Sequence, residues 1–296
     1  MTIAICCVTA EGVVMGADST ASFMDMGGFH YLNHNQKIFE IGENSTFSII
    51  TWGLGNLGDM SYRTLIARLA DALTINKATS VQDVADRWID LFWSEYSTRL
   101  SGDIAELKHL DSLQPFGGHS PQSGPSRSEQ EESRFAQLKL GLYVGFCIGG
   151  HHDSDRVPQA FEIKFDPING KPKADKIVIG DTRCYGAPKI FDRIIMGLDP
   201  DVRAAIIASG KWTGTPAELD QLTVGHYLYR ACLPLRDAID FVHSCVASTI
   251  KAIKFSALSQ TCGGPIELGV ISTDRTFRWV RHKEWDVAID EGHRRS

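Results

Sequence analysis

The sequence has no uninterrupted apolar run that approaches the ~20 residues needed to span a bilayer. Its start has no basic segment followed by a small-residue cleavage site. It also lacks an excess of basic residues, because 30 Lys and Arg stand against 36 Asp and Glu, a formal net charge of −6. This balance excludes a general basic surface for nucleic acid or anionic membranes. We therefore expect a cytoplasmic protein with no nucleic-acid partner and no membrane partner.

Cysteine and histidine give no pattern of a metal site or a disulfide framework. The seven Cys residues are scattered and odd in number, and no CxxC pair is present, so reduced thiols are the better interpretation. His151 and His152 are adjacent, but no spaced set of ligands completes a site, which favours a polar turn. We expect no metal and no cofactor.

What the chain does have is apolar material for a large core, 43% of 296 residues. Residues 112–134 are rich in Ser, Pro, Gly and charge, which predicts a flexible insertion. It is an insertion rather than a domain boundary because the strands that follow are needed to complete the sheet. We expect a single domain over 1–296, with extra helices at 199–222.

Apolar periodicity predicts the secondary structure. Strands are predicted at 3–8, 13–17, 37–42, 47–52, 138–147, 160–165, 174–179, 266–271 and 276–280. Two helices are predicted to begin after residues 59 and 80, and the second is predicted to run past Leu100. Further helices are predicted at 189–196, after 199, from a capping box at 215–218 and after 234. Residues 19–36 show little periodicity and predict a loop. This order fits an α+β protein with two stacked, largely antiparallel sheets and helices outside them, although order alone leaves several α+β folds open.

The first two residues suggest a catalytic group. If an aminopeptidase removes Met1, which the small Thr2 favours, the new first residue carries both a hydroxyl and a free α-amine. That amine titrates near ~7.7–8.0, so that it can take the proton of its own hydroxyl. The plainer interpretation is a Met-Thr start that leads into a buried first strand.

The same stretch predicts a β-hairpin whose register decides what lies beside Thr2. A turn centred on Glu11 places Thr2 opposite Thr20, with Asp18 diagonally beside them on the same face. A two-residue turn at Glu11 and Gly12 shifts the pairing by one and sends Asp18 to the opposite face. The sequence leaves both registers open.

Two further stretches contribute candidate side chains and backbone groups. Lys37 shares strand parity with Phe39, which turns an ammonium toward the apolar side, where Asp18 is the obvious partner. The alternative is a Lys at a strand end that reaches water. Residues 53–59, GLGNLGD, let the backbone approach a substrate closely, and an N–H there could stabilise an oxyanion. A plain flexible turn is the alternative; a phosphate site is disfavoured, since the GxxxxGK[ST] spacing is absent.

These motifs together resemble the proteasome β-type subunits and their bacterial relatives, a family of N-terminal-nucleophile hydrolases. The resemblance rests on Thr2, on the Ala17-Asp18-Ser19 turn, on Lys37 before an apolar strand and on the Gly-rich helix start. It also rests on a later Gly-Ala-Pro helix start at 186–188 and on the Gly-Gly-Pro-Ile of 263–266. It implies a four-layer αββα sandwich of two largely antiparallel sheets.

The resemblance also implies roles for individual residues. It makes Thr2 the nucleophile, makes Asp18 and Lys37 the charge pair that tunes it, and makes the Gly55 N–H the oxyanion donor. We expect substrate contacts from three more residues, Thr20, Ala21 and Gly53. The chain departs from the family where Ser259 and Cys262 stand in place of an Asp and a Ser, so that either Ser259 is a weak substitute or the site is tuned differently. It departs again at Tyr185, where the family has a Ser.

The resemblance predicts a threonine-type endopeptidase that cleaves peptides or unfolded proteins through an acyl-ester on Thr2. It further predicts a homo-oligomer, a ring or a spiral, while the sequence does not indicate a regulatory ATPase. Two alternatives remain open: a small-molecule amidohydrolase that uses the same nucleophile, and a non-catalytic assembly subunit that keeps Met1.

Overall fold

The computed structural model describes residues 2–25, 28–117, 125–224, 226, 232–257 and 259–283, without the side chains of residues 23–25, 28 and 29. Met1, whose removal is predicted, lies outside the described residues. The described residues form twelve strands and eight helices. Among them, no helix is both long enough and apolar enough to cross a membrane.

Two five-stranded antiparallel sheets carry the fold. The first has the order β10-β1-β2-β11-β12 and consists of β1 (Ala4–Thr9), β2 (Gly12–Ala17), β10 (Thr182–Tyr185), β11 (Glu267–Ser272) and β12 (Arg275–Arg281). The second has the order β5-β6-β7-β8-β9 and consists of β5 (Ile38–Glu40), β6 (Phe47–Gly53), β7 (Val144–Gly150), β8 (Gln159–Phe165) and β9 (Asp175–Ile177). A separate hairpin joins β3 (Ala21–Asp25) to β4 (Gly28–Leu32).

Eight helices lie among the described residues, and several of them begin at a side-chain cap. They are α1 (Tyr62–Ile75), α2 (Val81–Arg99), α3 (Ser101–Ser112), α4 (Glu129–Leu142), α5 (Lys189–Met196), α6 (Pro200–Ala208), α7 (Pro216–Val224) and α8 (Leu235–Lys254). The hydroxyls of Ser61 and Ser80 accept hydrogen bonds from first-turn N–H groups of α1 and α2. These side chains satisfy donors that a helix start otherwise leaves unpaired.

Three apolar clusters hold the elements together. One joins α1–α4 to the second sheet and is rich in aromatic rings, such as Trp88 and Phe146 with centroids 4.9 Å apart. Another joins α5 and α8 to the outer face of the first sheet. The third contains side chains of both sheets, including Met15 and Ile50. Each sheet therefore buries one face against helices and contributes its other face to a shared cluster.

The register of the first hairpin corrects the expectation that Thr2 faces Thr20. Thr9 pairs with Gly12, so the loop consists of residues 10 and 11 rather than being centred on Glu11. The cause is the Thr9 hydroxyl, which accepts hydrogen bonds from the backbone N–H groups of Glu11 and Gly12, both at 3.1 Å, and tightens the turn. The Asp18 N–H instead donates to the carbonyl of Ile3 at 3.2 Å.

The prediction of a flexible insertion through 134 and of a strand from 138 is wrong in part. Residues 118–124 lie outside the described residues, but α4 begins at Glu129 and continues to Leu142. The reason is a capping box, in which the Ser128 hydroxyl accepts from the Glu131 N–H and the Glu131 carboxylate accepts from the Ser128 N–H. The strand β7 starts only at Val144.

Two other predictions also need correction. Residues 19–36 are not all loop, because β3 and β4 lie within them and pair in register from Ala21 with Leu32. The second helix does not run past Leu100, which leaves the helical conformation at φ −106° and ψ 19° and separates α2 from α3. The strand β10 was not predicted at all, because a short polar strand on the edge of β1 has little apolar patterning.

Candidate active site

The buried charge pair of the site lies where two strands of different sheets meet. Asp18 directly follows β2 and Lys37 directly precedes β5, and both side chains are almost fully buried. The Lys37 Nζ lies 2.5 Å from the Asp18 Oδ1. The predicted contact between these two residues is therefore present, and Lys37 does not reach water.

Backbone donors hold the Asp18 carboxylate in place. Its Oδ1 also accepts from the N–H of Ile3 at 2.8 Å. Its Oδ2 accepts from the N–H of Gly263 at 2.9 Å and of Thr20 at 3.3 Å. A carboxylate with this many hydrogen bonds is held rigidly. It fixes the start of the chain, through Ile3, to the loop before β11.

Lys37 is oriented by two acceptors. Its Nζ donates to Asp18 and to the carbonyl of Thr20 at 2.8 Å. An ammonium has three donors, so one donor of Lys37 has no acceptor among the described residues. Burial lowers the pKa of Lys37, although Asp18 opposes the shift. Lys37 can thus place a positive charge beside the chain start and can release that charge more readily than a lysine in water.

Thr2 lies at the wall of a large cleft and is 9% exposed. Gly186, which follows β10, makes this position possible: a Cβ on Gly186 would come within 2.0 Å of the Thr2 carbonyl oxygen. Gly186 also has φ +77°, a conformation that L-residues with side chains avoid. The Gly-Ala-Pro start of α5 therefore allows the backbone to approach Thr2 closely.

The cleft has a volume of about 1330 Å³ and passes along the glycine-rich segment after β6. Thr2, Ala21, Gly53 and Gly55 all line it. Gly53 needs to be glycine, because its φ is +88° and a Cβ would lie 2.4 Å from the Tyr143 carbonyl oxygen. A Cβ on Gly55 would meet no described atom within 4 Å. At Gly55 the free space opens toward the cleft, where a substrate carbonyl could meet the backbone.

The described residues that line the cleft do not include four of the predicted site residues, Asp18, Lys37, Thr20 and Ser259. Thr20 is buried, and its hydroxyl donates to the Asn33 Oδ1 at 2.9 Å while its carbonyl binds Lys37. It positions the charge pair instead of lining the wall. Ser259 is exposed and does not belong to the lining, so a role for it stays a prediction.

Cys262 stands, like Ser259, where the chain departs from the family-like pattern, and it is fully buried. Burial, together with the neighbouring Asp18, raises the pKa of its thiol to about 12. A thiol in this state is protonated at neutral pH and is not an effective nucleophile. Of Cys262 and Thr2, Thr2 is thus the better candidate for a nucleophile.

A second group of charges beside the site was missed. Glu267, the first residue of β11, pairs in register with Ala17 and is fully buried. Its Oε1 lies 2.9 Å from the His282 Nδ1 and 3.4 Å from the Lys283 Nζ. These contacts are short but poorly aligned, since neither Glu267 oxygen has a hydrogen-bond partner among the described residues. The signal in the sequence is a Glu at the start of an otherwise apolar strand.

Tyr185 fills the position where the resemblance expects a Ser. Its ring stacks on that of Trp52, with centroids 3.8 Å apart and an interplanar angle of 1°, and both residues line the cleft. Its hydroxyl is buried without a hydrogen-bond partner among the described residues. Burial raises the pKa of Tyr185 far above its usual range, so the phenol remains neutral. The wall near Thr2 is therefore aromatic at this position.

Comparison with known proteins gives similarity to solved structures but none at the level of sequence. No protein-family model matches the sequence, and neither does any curated protein. Among solved structures, the chain is similar to the Anbu (Gly-1) mutant from Hyphomicrobium sp. strain MC1, with 12% identity and a TM-score of 0.47. The match covers 96% of this chain and 86% of that chain. Values this low do not assign the chain to a family, so the geometry of the site has to support any function.

Proposed function

We propose that the protein is a threonine-type N-terminal-nucleophile hydrolase that cleaves peptide bonds once Met1 has been removed. The observation that carries the proposal is the buried Lys37–Asp18 pair, bonded through Ile3 to the start of the chain, beside a cleft that Thr2 lines. Burying two charges is costly, and a hydrophobic pair of similar size is often as stable. Fold stability alone therefore does not account for this pair.

The proposed reaction uses Thr2 as both nucleophile and base. The Thr2 amine takes the hydroxyl proton while Oγ1 attacks the substrate carbonyl carbon. The Lys37 ammonium lowers the pKa of both groups by repelling the positive charge of the amine and by stabilising the alkoxide. The Gly55 N–H, which borders the cleft, stabilises the oxyanion of the tetrahedral intermediate.

Collapse of that intermediate breaks the carbon–nitrogen bond. The Thr2 amine passes its proton to the leaving amine, and the acyl group remains as an ester on Oγ1. Water then attacks the ester, with the Thr2 amine as base, and the proton returns to Oγ1 as the acid product leaves. No metal or redox partner is needed in this sequence of steps.

Two features of the fold support the proposal. The three apolar clusters support the four-layer αββα arrangement expected from the resemblance. The cleft of about 1330 Å³ exceeds the ~300–1,000 Å³ of usual small-molecule sites. Its size favours a peptide over a small amide as substrate.

Assembly into a ring or spiral is proposed from the resemblance. Light scattering would contradict this proposal by finding particles of only 32.7 kDa, the mass of one chain.

The decisive experiment examines the chain start. Intact mass should show loss of Met1, and an electrophile specific for N-terminal Thr should modify Thr2, with the adduct located by peptide mass spectrometry. Thr2→Ala should abolish labelling and hydrolysis, whereas Thr2→Ser, which keeps a hydroxyl, should retain some of both. Retention of Met1 in the purified protein, or full activity in Thr2→Ala, would overturn the proposal in favour of a non-catalytic subunit.

A further inference from the structure

The cleft has the opposite charge to the chain as a whole. The chain has a formal net charge of −6, yet the charged side chains among the described lining residues are the cations Arg63 and Lys283, accompanied by His34 and His282. None of the described residues that line the cleft is Asp or Glu. A local field of this sign attracts anions into the cleft.

Arg63 is not explained by the stability of its own helix. It is the second residue of α1, near the positive end of the helix dipole, where an acidic residue is preferred and where α1 has none. Its guanidinium lies 5.6 Å from the Phe39 ring centroid and donates to the neutral Gln36 side chain. No ion pair joins it to a carboxylate among the described residues. Arg63 therefore retains uncompensated positive charge and unused donors.

Lys283 brings a second cation to the same place. Its Nζ donates to the carbonyl of His34 at 3.0 Å and lies 3.4 Å from Glu267 Oε1, which neutralises part of its charge. Burial lowers the pKa of Lys283, and repulsion from Lys37 and Arg63 lowers it further. Arg63 and Lys283 both line this cleft. An anion bound between them would relieve this repulsion.

We propose that the cleft selects peptides that carry Asp or Glu, with the carboxylate held by Arg63 and Lys283. Arg presents a planar fork of donors that matches a carboxylate, and Lys supplies a point charge. The volume of the cleft accommodates a peptide segment, so that one acidic side chain can reach these cations while the backbone passes Thr2. This proposal names the substrate class of the proposed hydrolase. Cleavage of such peptides depends on the proposed function, whereas their binding in the cleft does not.

Binding can be measured without turnover in the Thr2→Ala variant. Two fluorescent peptides that differ only by Glu in place of Gln are titrated, and their affinities are compared by anisotropy. We expect the Glu peptide to bind about tenfold more tightly or better, as expected for a charge-assisted hydrogen bond. Raising the salt from about 0.15 to 1 M should shrink the difference. Equal affinities at low salt would overturn the proposal.

Variants of the cationic residues show which side chain causes the preference for the Glu peptide. Adding Arg63→Gln should bring the affinity ratio toward one. Arg68→Gln is the matched control, because Arg68 lies on the same helix but pairs with Glu95 and is not among the described lining residues, so the ratio should stay unchanged. Glu267→Gln should raise the ratio, because it frees the charge of Lys283. An unchanged ratio in Arg63→Gln would overturn the assignment.

Two further outcomes separate the substrate class from the proposed chemistry. A small N-acylglutamate amide should compete only weakly; competition as strong as that of the Glu peptide would overturn the peptide assignment. Hydrolysis by the wild-type chain without preference for Glu would contradict this inference alone. Tight binding of the Glu peptide without hydrolysis or labelling of Thr2 would contradict the proposed function alone.

Discussion

Two buried carboxylates lie almost side by side in the first sheet, and they are treated very differently. Asp18 has three backbone N–H donors and an ammonium 2.5 Å away. Glu267, which pairs with the residue just before Asp18, has short but poorly aligned contacts to His282 and Lys283. The comparison teaches that burial alone does not mark a functional charge. A fully bonded carboxylate is built for fixed geometry, whereas a poorly bonded one contributes mainly its field.

The largest expected difference between variants of Asp18 and of Glu267 is in the free energy of unfolding. Asp18→Asn leaves the Lys37 ammonium buried without a counter-charge and is expected to lower the free energy of unfolding by about 3–5 kcal/mol. Glu267→Gln removes a carboxylate with no well-aligned bond and should change it by about 1 kcal/mol or less. Urea denaturation of both variants measures the difference. Similar losses in the two would break the comparison.

The next expected effect is on turnover and concerns the two lysines. Lys37→Met should lower kcat by about 10²–10⁴-fold, because it removes the charge that activates Thr2. Lys283→Met should lower kcat far less, since Lys283 has no contact with the predicted catalytic groups among the described residues. Peptide hydrolysis, with circular dichroism to confirm folding, tests both variants. A comparable loss in the two would make Lys37 a structural residue.

Deprotonation of Lys37 should give a smaller effect, with opposite signs for activity and for stability. Burial lowers its pKa, so activity should fall with rising pH below the ~10.4 of an ordinary lysine. In the same window the unfolded chain holds more protons at this position than the folded one, so its contribution to stability increases as pH rises. A pH profile of kcat/KM, and the unfolding difference between wild type and Lys37→Met, measure the two opposite trends. Activity that persists until the ordinary lysine range would contradict the lowered pKa.

The smallest expected effect is on the free energy of unfolding and concerns two buried phenols, one bonded and one without a partner among the described residues. Tyr96 donates its hydroxyl to the Leu142 carbonyl at 2.8 Å, whereas the Tyr185 hydroxyl has no partner among the described residues. Tyr96→Phe should therefore cost about 0.5–1.5 kcal/mol of unfolding free energy, and Tyr185→Phe should be neutral or slightly stabilising. Thermal and urea unfolding of the pair tests this. A clear loss in Tyr185→Phe would show that its hydroxyl is bonded after all.

Much of the fold follows from local sequence signals. The prediction of 189–196 coincides with α5, and Pro234 marks the start of α8, because proline and amphipathic periodicity are strong signals. The capping box at Thr215 and Glu218 is present. The box at Ser128 and Glu131 has the same spacing but lies in polar, proline-containing surroundings, and it was missed. Local hydrogen bonds were thus better evidence than composition.

The site was predictable only where residues form a motif. Asp18 and Lys37 belong to the family-like pattern, and strand parity suggested their contact. The register of the first hairpin was not predictable from apolar patterning, because both strands are buried on both faces and a one-residue shift changes no hydrophobic match. Arg63 and Lys283 are far apart in sequence, and only the tertiary structure brings them to one cleft.

The bond between Asp18 and the Gly263 N–H has a consequence for how the protein is made. The first hairpin emerges from the ribosome before the loop that completes its carboxylate site, and before the strand β11 that pairs with β2. The first hairpin must wait for this late segment before its charge pair is fixed. We therefore expect a nascent chain to lack the completed carboxylate site until the strand β11 has been synthesised.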